Sequence, residues 1–416
     1  MRRAVAFLGG VALAAGCAAS ASAGPTAQGA PFRVSSCTNC IEQSPAVAGS
    51  TSGAFLAAWE GASATDPKSL SGRFFNSTGL ALAADFLTSQ NVAADQYDAT
   101  VARDTQGNFI VVWSEVANGN SEIMAKRYQV NGTAIGAAFK VNQDPAGSPT
   151  VPTDFNPAVA GTKDGGFIVV WMNLLPAGGN FPGTTPQVLA RKISAAGVPV
   201  GTQVKISTGL VNGDRPDVCV DTVGRPVAVW TSVDGFPLFE SNHKGVSLRR
   251  LTPAGVPTGP AETVVAAPNA GSVKPGVSCG SGSTFVVVWH SDQPPAAERF
   301  DILGQRFSRL ARPLGPTFRV NGTVTRDQRN PSIAHDPQGN FTVVWQSYVS
   351  SQQVGIYGRR FAANGAALSP DFEVVSGPDN ATAPTNPDVA TIGTAGNFVV
   401  VWQAGSQAIY GRRFTP

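Results

Sequence analysis

Short apolar runs that end in tryptophan recur along the whole chain. The clear copies read GNFIVVW, GGFIVVW, STFVVVW, GNFTVVW and GNFVVVW at 107–113, 165–171, 283–289, 339–345 and 396–402, and weaker ones read GAFLAAW and GRPVAVW at 53–59 and 224–230. Such β-branched runs, bounded by glycine, are typical of strands covered on both faces. Each copy holds one of the seven tryptophans, which follow one another at intervals of 54 to 59 residues: Trp59, Trp113, Trp171, Trp230, Trp289, Trp345 and Trp402. One position copied seven times indicates a repeat architecture.

Each repeat contains three further strand-like runs. A short run such as PAVA (45–48) or PSIA (331–334) precedes the tryptophan strand and is joined to it by a tight glycine turn such as DPQGN (336–340). A variable loop after the tryptophan leads to a third run, IYGRRF at both 356–361 and 409–414, and a glycine turn leads to a fourth, such as FRVN (318–321). The repeat therefore predicts a meander of four antiparallel strands.

Radial stacking of these sheets would let every apolar face cover its neighbour, which predicts an all-β, seven-bladed β-propeller. A period of about 57 residues is too short for immunoglobulin-like sandwiches. The seventh copy stops after its third strand, at Phe414, whereas Phe32-Arg33-Val34 near the start parallels Phe318-Arg319-Val320. We therefore expect residues 30–36 to complete blade seven and leave no open sheet edge.

The first 23 residues have the features of a signal peptide, which would leave 24–416 as a single propeller domain. Two arginines precede the apolar run 4–15, and Ala21-Ser22-Ala23 fits a cleavage site. The apolar run is too short to span a membrane. An alternative interpretation takes Ala14-Ala15-Gly16-Cys17 as a lipoprotein box, with lipid attached to Cys17. Either way we expect a location outside the cytoplasm, secreted, periplasmic or anchored to the cell envelope.

Composition narrows the classes of partner. Only 14% of residues are charged and the net charge is +3, so there is no basic stripe of the kind that binds nucleic acid. We assign no cofactor and no metal site from the sequence. We expect a monomer whose partner is a carbohydrate or protein ligand at the cell surface.

The four cysteines of the predicted mature chain favour disulfides, which export permits. Cys37 and Cys40 lie between the closing strand and blade one, where a local bridge would secure the ring, although a zinc half-site or a redox motif uses the same spacing. Cys219 and Cys279 occupy adjacent repeat positions in blades four and five, so their side chains point to opposite faces of their own sheets. We predict a bridge between these two blades.

A basic residue recurs at one place in the third strands: Arg127, Lys192, Arg250, Arg306, Arg360 and Arg413, with Phe74 instead in blade one. A cationic ring for a polyanion is one interpretation. A structural role, with the guanidinium stacked on the indole or paired with a turn carbonyl, is the favoured one because the position is copied around the ring.

The loops after the tryptophans vary most in length and share one face with the connections between blades. The unusual side chains of this face concentrate in blades three to five, and we predict a binding surface there for a carbohydrate or peptide. Its members are Phe181, Phe236, Phe239, His243, His290, Asp292, Glu298 and Arg299. The alternative is that the phenylalanines only pack their own loops.

Motifs for catalysis are sparse. The chain has no GxSxG, HExxH, glycine-rich phosphate loop or local pair of carboxylates, so no catalytic residue is assigned. His335 follows the first strand of blade six and is expected to be structural. Asp104 and Asp336, each three residues before a glycine, could bind calcium, but bonding of the side chain to the turn backbone explains them more simply.

The repeats GNFVVVWQ, IYGRRF and FRVN, with the connection Arg326-Asp327-Gln328, resemble a repeat of exported bacterial proteins found in RTX-type and cadherin-like surface proteins and in small secreted or lipoprotein forms. The resemblance covers residues 29–416 and implies a propeller in the cell envelope, without shared catalytic residues. We expect a non-enzymatic binding or adhesion module on the loop-rich face. The alternative is a polysaccharide-active hydrolase or lyase with its site at the central channel, which requires converging acidic or histidine side chains.

Overall fold

Tight turns and β-branched strands fold each repeat into an antiparallel meander. In blade two, Val111 pairs with Val101 on one side and with Lys126 on the other. The turn between the first two strands closes because the Asp104 N–H donates to the Asn108 carbonyl at 2.9 Å, while Gly107 adopts a φ of 92°, which favours glycine. The same arrangement recurs around the molecule.

The computed structural model describes residues 24–38, 40–61, 69–89, 94–117, 120–143, 153–175, 185–207, 212–233, 243–266, 272–291, 300–350, 353–378, 383–405 and 407–416. Two short strands precede the blades, β1 (Thr26–Ala27) and β2 (Phe32–Arg33).

Seven blades follow in chain order. Blade one contains β3 (Gln43–Gly49), β4 (Phe55–Glu60), β5 (Leu70–Phe75) and β6 (Phe86–Leu87); blade two β7 (Asp95–Arg103), β8 (Phe109–Ala117), β9 (Asn120–Tyr128) and β10 (Ala134–Lys140); blade three β11 (Thr153–Gly161), β12 (Phe167–Leu175), β13 (Thr185–Ile193) and β14 (Pro199–Lys205); blade four β15 (Asn212–Val220), β16 (Pro226–Val233), β17 (His243–Arg250) and β18 (Glu262–Ala266). Blade five contains β19 (Ser272–Cys279), a 3-10 turn (Ser281–Ser283), β20 (Phe285–Ser291), β21 (Asp301–Phe307) and β22 (Phe318–Arg319); blade six β23 (Gln328–His335), β24 (Phe341–Ser350), β25 (Gln353–Phe361) and β26 (Phe372–Pro378); blade seven β27 (Pro384–Ile392), β28 (Asn397–Ala404) and β29 (Ala408–Thr415).

The blades form a closed ring around a central channel. Each first strand contacts the first strand of the next blade, from β3 through β7, β11, β15, β19, β23 and β27, and β27 contacts β3 again. The described apolar core divides into seven clusters, and each joins residues of two neighbouring blades. Seven clusters for seven interfaces confirm the predicted propeller, and all seven tryptophans are at most 2% exposed within it.

The closing strand lies where the sequence places it. Phe32 pairs with Gly411 and Arg33 with Tyr410 of β29, which is the relationship that Phe318 has to Gly304 in blade five. Phe32 also packs against the Phe55 and Phe75 rings of blade one, with centroids at 6.3 and 5.6 Å. This segment therefore completes blade seven, as predicted, and it also contacts blade one.

Both predicted disulfides are present. Cys219 and Cys279 are joined with their Cα atoms 5.6 Å apart and link blades four and five, and Cys37 is joined to Cys40 with a Cα separation of 5.7 Å. Glu42 lies beside the second pair, within 4.8 Å of both sulfur atoms. Because the two sulfurs are bonded to each other, this cluster is a bridge rather than a thiolate ligand set.

The repeated basic residues bond to turns, as the structural interpretation requires. Arg360 Nη2 donates to Asp336 Oδ2 at 3.0 Å, and Lys192 Nζ lies 2.7 Å from Asp164 Oδ1. Arg413 Nη1 instead reaches the Ser77 carbonyl of blade one at 2.7 Å. These cations tie turns together, within a blade or between blades.

A second repeated arginine, one residue earlier, was not recognised in the sequence. Its guanidinium donates to a carbonyl within or directly after the fourth strand of the preceding blade, or in the closing segment: Arg73 to Val34, Arg191 to Val141, Arg249 to Ile206, Arg359 to Val320 and Arg412 to Val374, over 2.8 to 3.2 Å. Each of these arginines therefore stabilises an interface between blades.

Candidate active site in the central channel

A cavity of about 720 Å³ occupies the channel, lined mainly by the first strands of all seven blades. Each of these strands shifts register once, at a residue with positive φ: Ser44, Asp98, Asn156, Arg215, Lys274, Asn330 and Asn386. In six blades the next residue is proline, which lacks the N–H needed for the ladder and is tolerated at a bulge. We call these seven residues the bulge ring.

A second ring lies two positions further along the same strands and also lines the cavity. It consists of Ala46, Thr100, Ala158, Asp217, Gly276, Ser332 and Asp388. The two rings together bring three carboxylates and two cations from four different repeats into one cavity. The tight turns and register shifts fix this convergence, since every blade presents the same two positions to the axis.

Asp217 and Asp388 each bond to the backbone of a neighbouring blade. Asp217 Oδ2 accepts the Val277 N–H of blade five at 2.7 Å, and its Oδ1 accepts the Val218 N–H at 2.8 Å. Asp388 Oδ2 accepts the Val47 N–H of blade one at 2.8 Å, while Ser332 Oγ of blade six donates to its Oδ1 at 2.6 Å. These carboxylates hold blades together and remain partly exposed to the channel.

Asp98 is held differently. Its Oδ2 lies 3.3 Å from both Ser114 Oγ and the Asn156 N–H, and its own N–H donates to Glu60 Oε1 at 2.8 Å. Among the described residues, no group donates a hydrogen bond to Asp98 Oδ1. Asp98 is therefore the channel carboxylate with an oxygen available for a ligand.

Burial perturbs the ionisation of the whole cluster. Desolvation raises the pKa of Asp217 to about 6, and the charge of Asp388 adds to this rise. Desolvation also raises the pKa values of Asp98 and Asp388. It lowers the pKa of Lys274, which is further lowered by Arg215 and raised by Asp388 and Asp98. The charges of these groups thus interact electrostatically across the cavity, and their shifted pKa values are typical of sites of proton transfer.

One part of the cavity wall is formed by His290 of blade five and Arg329 of blade six. His290, 5% exposed, packs edge-on against Phe300 with ring centroids 5.4 Å apart, and the Arg329 guanidinium lies 4.0 Å from the same ring's centroid. Asp327 Oδ2 accepts a hydrogen bond from Arg329 Nη2 at 2.9 Å. His290 is therefore a buried wall residue of the channel, not the exposed loop residue that the sequence suggested.

The other members of the predicted binding surface are not placed by the structure. Phe181, Phe236, Phe239, Asp292, Glu298 and Arg299 lie outside the described residues, as does Cys17 with the predicted signal peptide. His243 is the first residue of β17.

A second cavity of about 470 Å³ lies at the opposite end of the first strands, lined by Arg103, Cys279 and His335 among others. Burial lowers the pKa of His335 to about 3, so the imidazole is neutral at physiological pH. Its ring packs against Phe341 at 5.3 Å. Asp104 and Asp336, at the turns on this side, accept hydrogen bonds from backbone N–H groups two and four residues later, which explains their positions.

No family model matches the chain, and no curated protein does. Solved structures do resemble it in fold. A protein of unknown function from Dyadobacter fermentans gives a TM-score of 0.55 at 11% identity over 78% of this chain and 95% of its own. An α-L-arabinofuranosidase of Fusarium graminearum in complex with an iminosugar inhibitor gives 0.52 at 11% identity, over 95% and 98%. A prolyl endopeptidase gives 0.54 at 12% identity over 91% of this chain, which spans 48% of that structure.

At such identities these likenesses show the fold alone. Among the described residues, no helix is long and apolar enough to cross a membrane. The class of protein is thus a seven-bladed propeller with a polar, titratable central channel.

Proposed function

We propose that this protein is a polysaccharide-active hydrolase or lyase whose site is the cavity of about 720 Å³ in the central channel. The main support for this proposal is that Asp98, Asp217 and Asp388 line the same cavity and that burial raises the pKa of each carboxyl group. Glycoside cleavage commonly uses two carboxyl groups, one protonated to assist the leaving group and one ionised. A channel of about 720 Å³ has the volume of a small-ligand site.

Asp98 is the proposed general acid or base. Asp98 lines the cavity, its Oδ1 accepts no hydrogen bond from the described residues, and its raised pKa makes the protonated form accessible nearer neutrality. Asp217, with a pKa of about 6, is the second carboxyl group of the pair, and Asp388 tunes it through their mutual repulsion. A propeller of similar extent that is an α-L-arabinofuranosidase supports a carbohydrate substrate.

We further propose that the protein acts outside the cytoplasm. The pattern of residues 2–23 and the two disulfides support export. In an alternative form of this proposal, the protein is anchored by a lipid on Cys17. The mass of the mature N-terminus would distinguish this form from free secretion.

The experiment is cleavage of a polysaccharide panel, including arabinan, by wild type and by Asp98→Asn. Asparagine is the residue of the bulge ring in blades three, six and seven, so this substitution removes the titratable group and keeps a side chain that the ring accepts. We expect new reducing ends with wild type and a loss of about 100-fold or more in rate with the variant. Equal rates for both proteins would contradict the role of Asp98.

A non-enzymatic binding or adhesion module is the second candidate. It is favoured by the bonds of Asp217 and Asp388 to backbone N–H groups of neighbouring blades, which explain both carboxylates without catalysis. This candidate predicts saturable binding of a polysaccharide with no cleavage by either protein.

A further inference from the structure

Five members of the bulge ring have short polar side chains, Ser44, Asp98, Asn156, Asn330 and Asn386, and two have long cationic ones. The cations, Arg215 and Lys274, are in the adjacent blades four and five, with φ values of 47° and 38°. Asparagine and aspartate are the non-glycine residues that tolerate this region best, since their short side chains bond locally. Backbone geometry alone therefore favours asparagine at all seven positions and does not explain the two cations.

The hydrogen bonds of the cavity are also unevenly distributed. The carboxylates of Asp217 and Asp388 accept bonds from backbone N–H groups, as described above. The Lys274 ammonium, in contrast, makes no hydrogen bond and no ion pair within 4.0 Å with any residue that the structure describes, although Asp98 and Asp388 act on it at longer range. The donors that remain open in this cavity are thus cationic, whereas most of the acceptors are already used.

The two cations repel each other, since the charge of Arg215 disfavours the charged form of Lys274. Arg215 is 41% exposed on its side chain and its Nε lies 3.5 Å from Asp214 Oδ2, so the rest of its guanidinium is open to a ligand. Arg329 of blade six, whose side chain is 31% exposed, extends the same side of the cavity. Three successive blades therefore present cations to one ligand volume.

We propose that the channel takes an anionic polysaccharide and that a carboxylate of the bound sugar lies between Lys274 and Arg215. The proposal rests on the carbohydrate function proposed above and specifies its substrate class. A carboxylate would accept hydrogen bonds from the ammonium and the guanidinium at once and would relieve their repulsion. Enclosure by the low-dielectric channel wall strengthens this attraction compared with an exposed surface.

The test compares two polymers with one backbone, polygalacturonate and its fully methyl-esterified form, which differ in charge. Binding is measured by affinity electrophoresis at low ionic strength for wild type, Lys274→Asn and Arg309→Asn. Asparagine is native to the bulge ring, so Lys274→Asn preserves the backbone. Arg309 is an exposed cation in the turn between β21 and β22, so Arg309→Asn matches the change in net charge away from the channel.

We expect wild type to bind polygalacturonate at least tenfold more tightly than the ester, Lys274→Asn to lose about tenfold, and Arg309→Asn to bind as wild type. Equal binding of the two polymers, no binding of either, or an unaffected Lys274→Asn would overturn the proposal. Cleavage of neutral arabinan without binding of polygalacturonate would refute the anionic substrate and leave the hydrolase standing. Binding of polygalacturonate through Lys274 without cleavage of any polymer would refute the hydrolase or lyase and leave the anionic ligand standing.

Discussion

Removal of the Arg359 guanidinium tests the account of how the blades are held together. Arg359 Nη1 donates to the Val320 carbonyl of blade five at 3.1 Å, and its Nε donates to the Ser369 carbonyl of its own blade at 3.0 Å. Its side chain is 22% exposed and Val320 is fully buried. Arg359→Met keeps most of the apolar stem, so the main loss is that of the two hydrogen bonds, with smaller losses from the Asp371 carboxylate 3.9 Å from Nε and the Phe361 ring 5.6 Å from the guanidinium.

The magnitude follows from those bonds. A hydrogen bond from a charged donor contributes about 1.5 to 3 kcal/mol, and a buried carbonyl left without a partner adds to the loss. Because Arg359 is partly exposed, we take the lower end for each bond and expect Arg359→Met to lower the free energy of unfolding by about 3 kcal/mol. In a chain of this size that corresponds to a fall of about 4 °C in Tm.

Urea unfolding followed by tryptophan fluorescence measures the change, and two controls sharpen it. Gln305 occupies the equivalent position in blade five, where its Nε2 donates to the Gly315 carbonyl of the same blade at 3.0 Å. Arg359→Gln should therefore keep the bond within the blade, lose the bond between blades and cost about half as much. Arg309→Met, at an exposed turn, should cost under about 0.5 kcal/mol. A loss below about 1 kcal/mol for Arg359→Met would refute the role assigned to these arginines.

Three further predictions concern closure, cross-linking and ionisation. Phe32→Ala should lower the free energy of unfolding by about 2 kcal/mol. This is less than for a fully buried phenylalanine, because Phe32 is only half-buried against Phe75. An unchanged urea midpoint would contradict the closing role of β2. Replacing Cys219 and Cys279 by alanine opens a loop of sequence separation 60 and should cost about 4 kcal/mol, and a double variant as stable as wild type would show that the bridge is dispensable. The pKa of Asp217 is about 6 in the folded protein and 3.8 in the unfolded chain, so protonation of Asp217 stabilises the fold fully below pH 3.8, and this contribution is lost as the pH rises to about 6. In denaturation measured from about pH 4 to 7, Asp217→Asn should therefore reduce the dependence of the free energy of unfolding on pH. An unchanged dependence would assign it to other groups.

The fold was predictable because its determinants are local and repeated. The tryptophan period, the glycine turns and the match of Phe32 to Phe318 are all visible in the sequence, and together they predict the number of blades and the closure. The bridge from blade four to blade five was predictable for the same reason, because the place of each cysteine within its repeat can be read from the sequence.

The channel site was less predictable because its members are far apart in sequence. Asp98, Asp217 and Asp388 belong to three different repeats, so a search for carboxylates at a local spacing does not find them. A signal was nevertheless present: proline follows the bulge position in six repeats, and proline inside a strand indicates a bulge. Reading the residue before each proline, where the copies differ most in charge, would have singled out Arg215 and Lys274.

On the loop-rich face, the sequence did not show where the tryptophan strand of blade five ends. His290 was taken for a loop residue because it follows the tryptophan directly, yet the tryptophan strand continues through Ser291 and places the imidazole in the channel wall. Strand ends depend on pairing with the neighbouring strand, which the sequence of one strand does not contain.

The most direct test of the account is to fill the channel without removing a charged group. Thr100 belongs to the ring of Asp217 and Asp388 and lines the cavity from blade two, where it pairs with Val112. In Thr100→Trp the indole would occupy part of the cavity, and a circular dichroism spectrum would verify the β-fold. We predict that this variant loses both polysaccharide binding and cleavage, whereas full binding and cleavage with the channel filled would place the site elsewhere on the propeller.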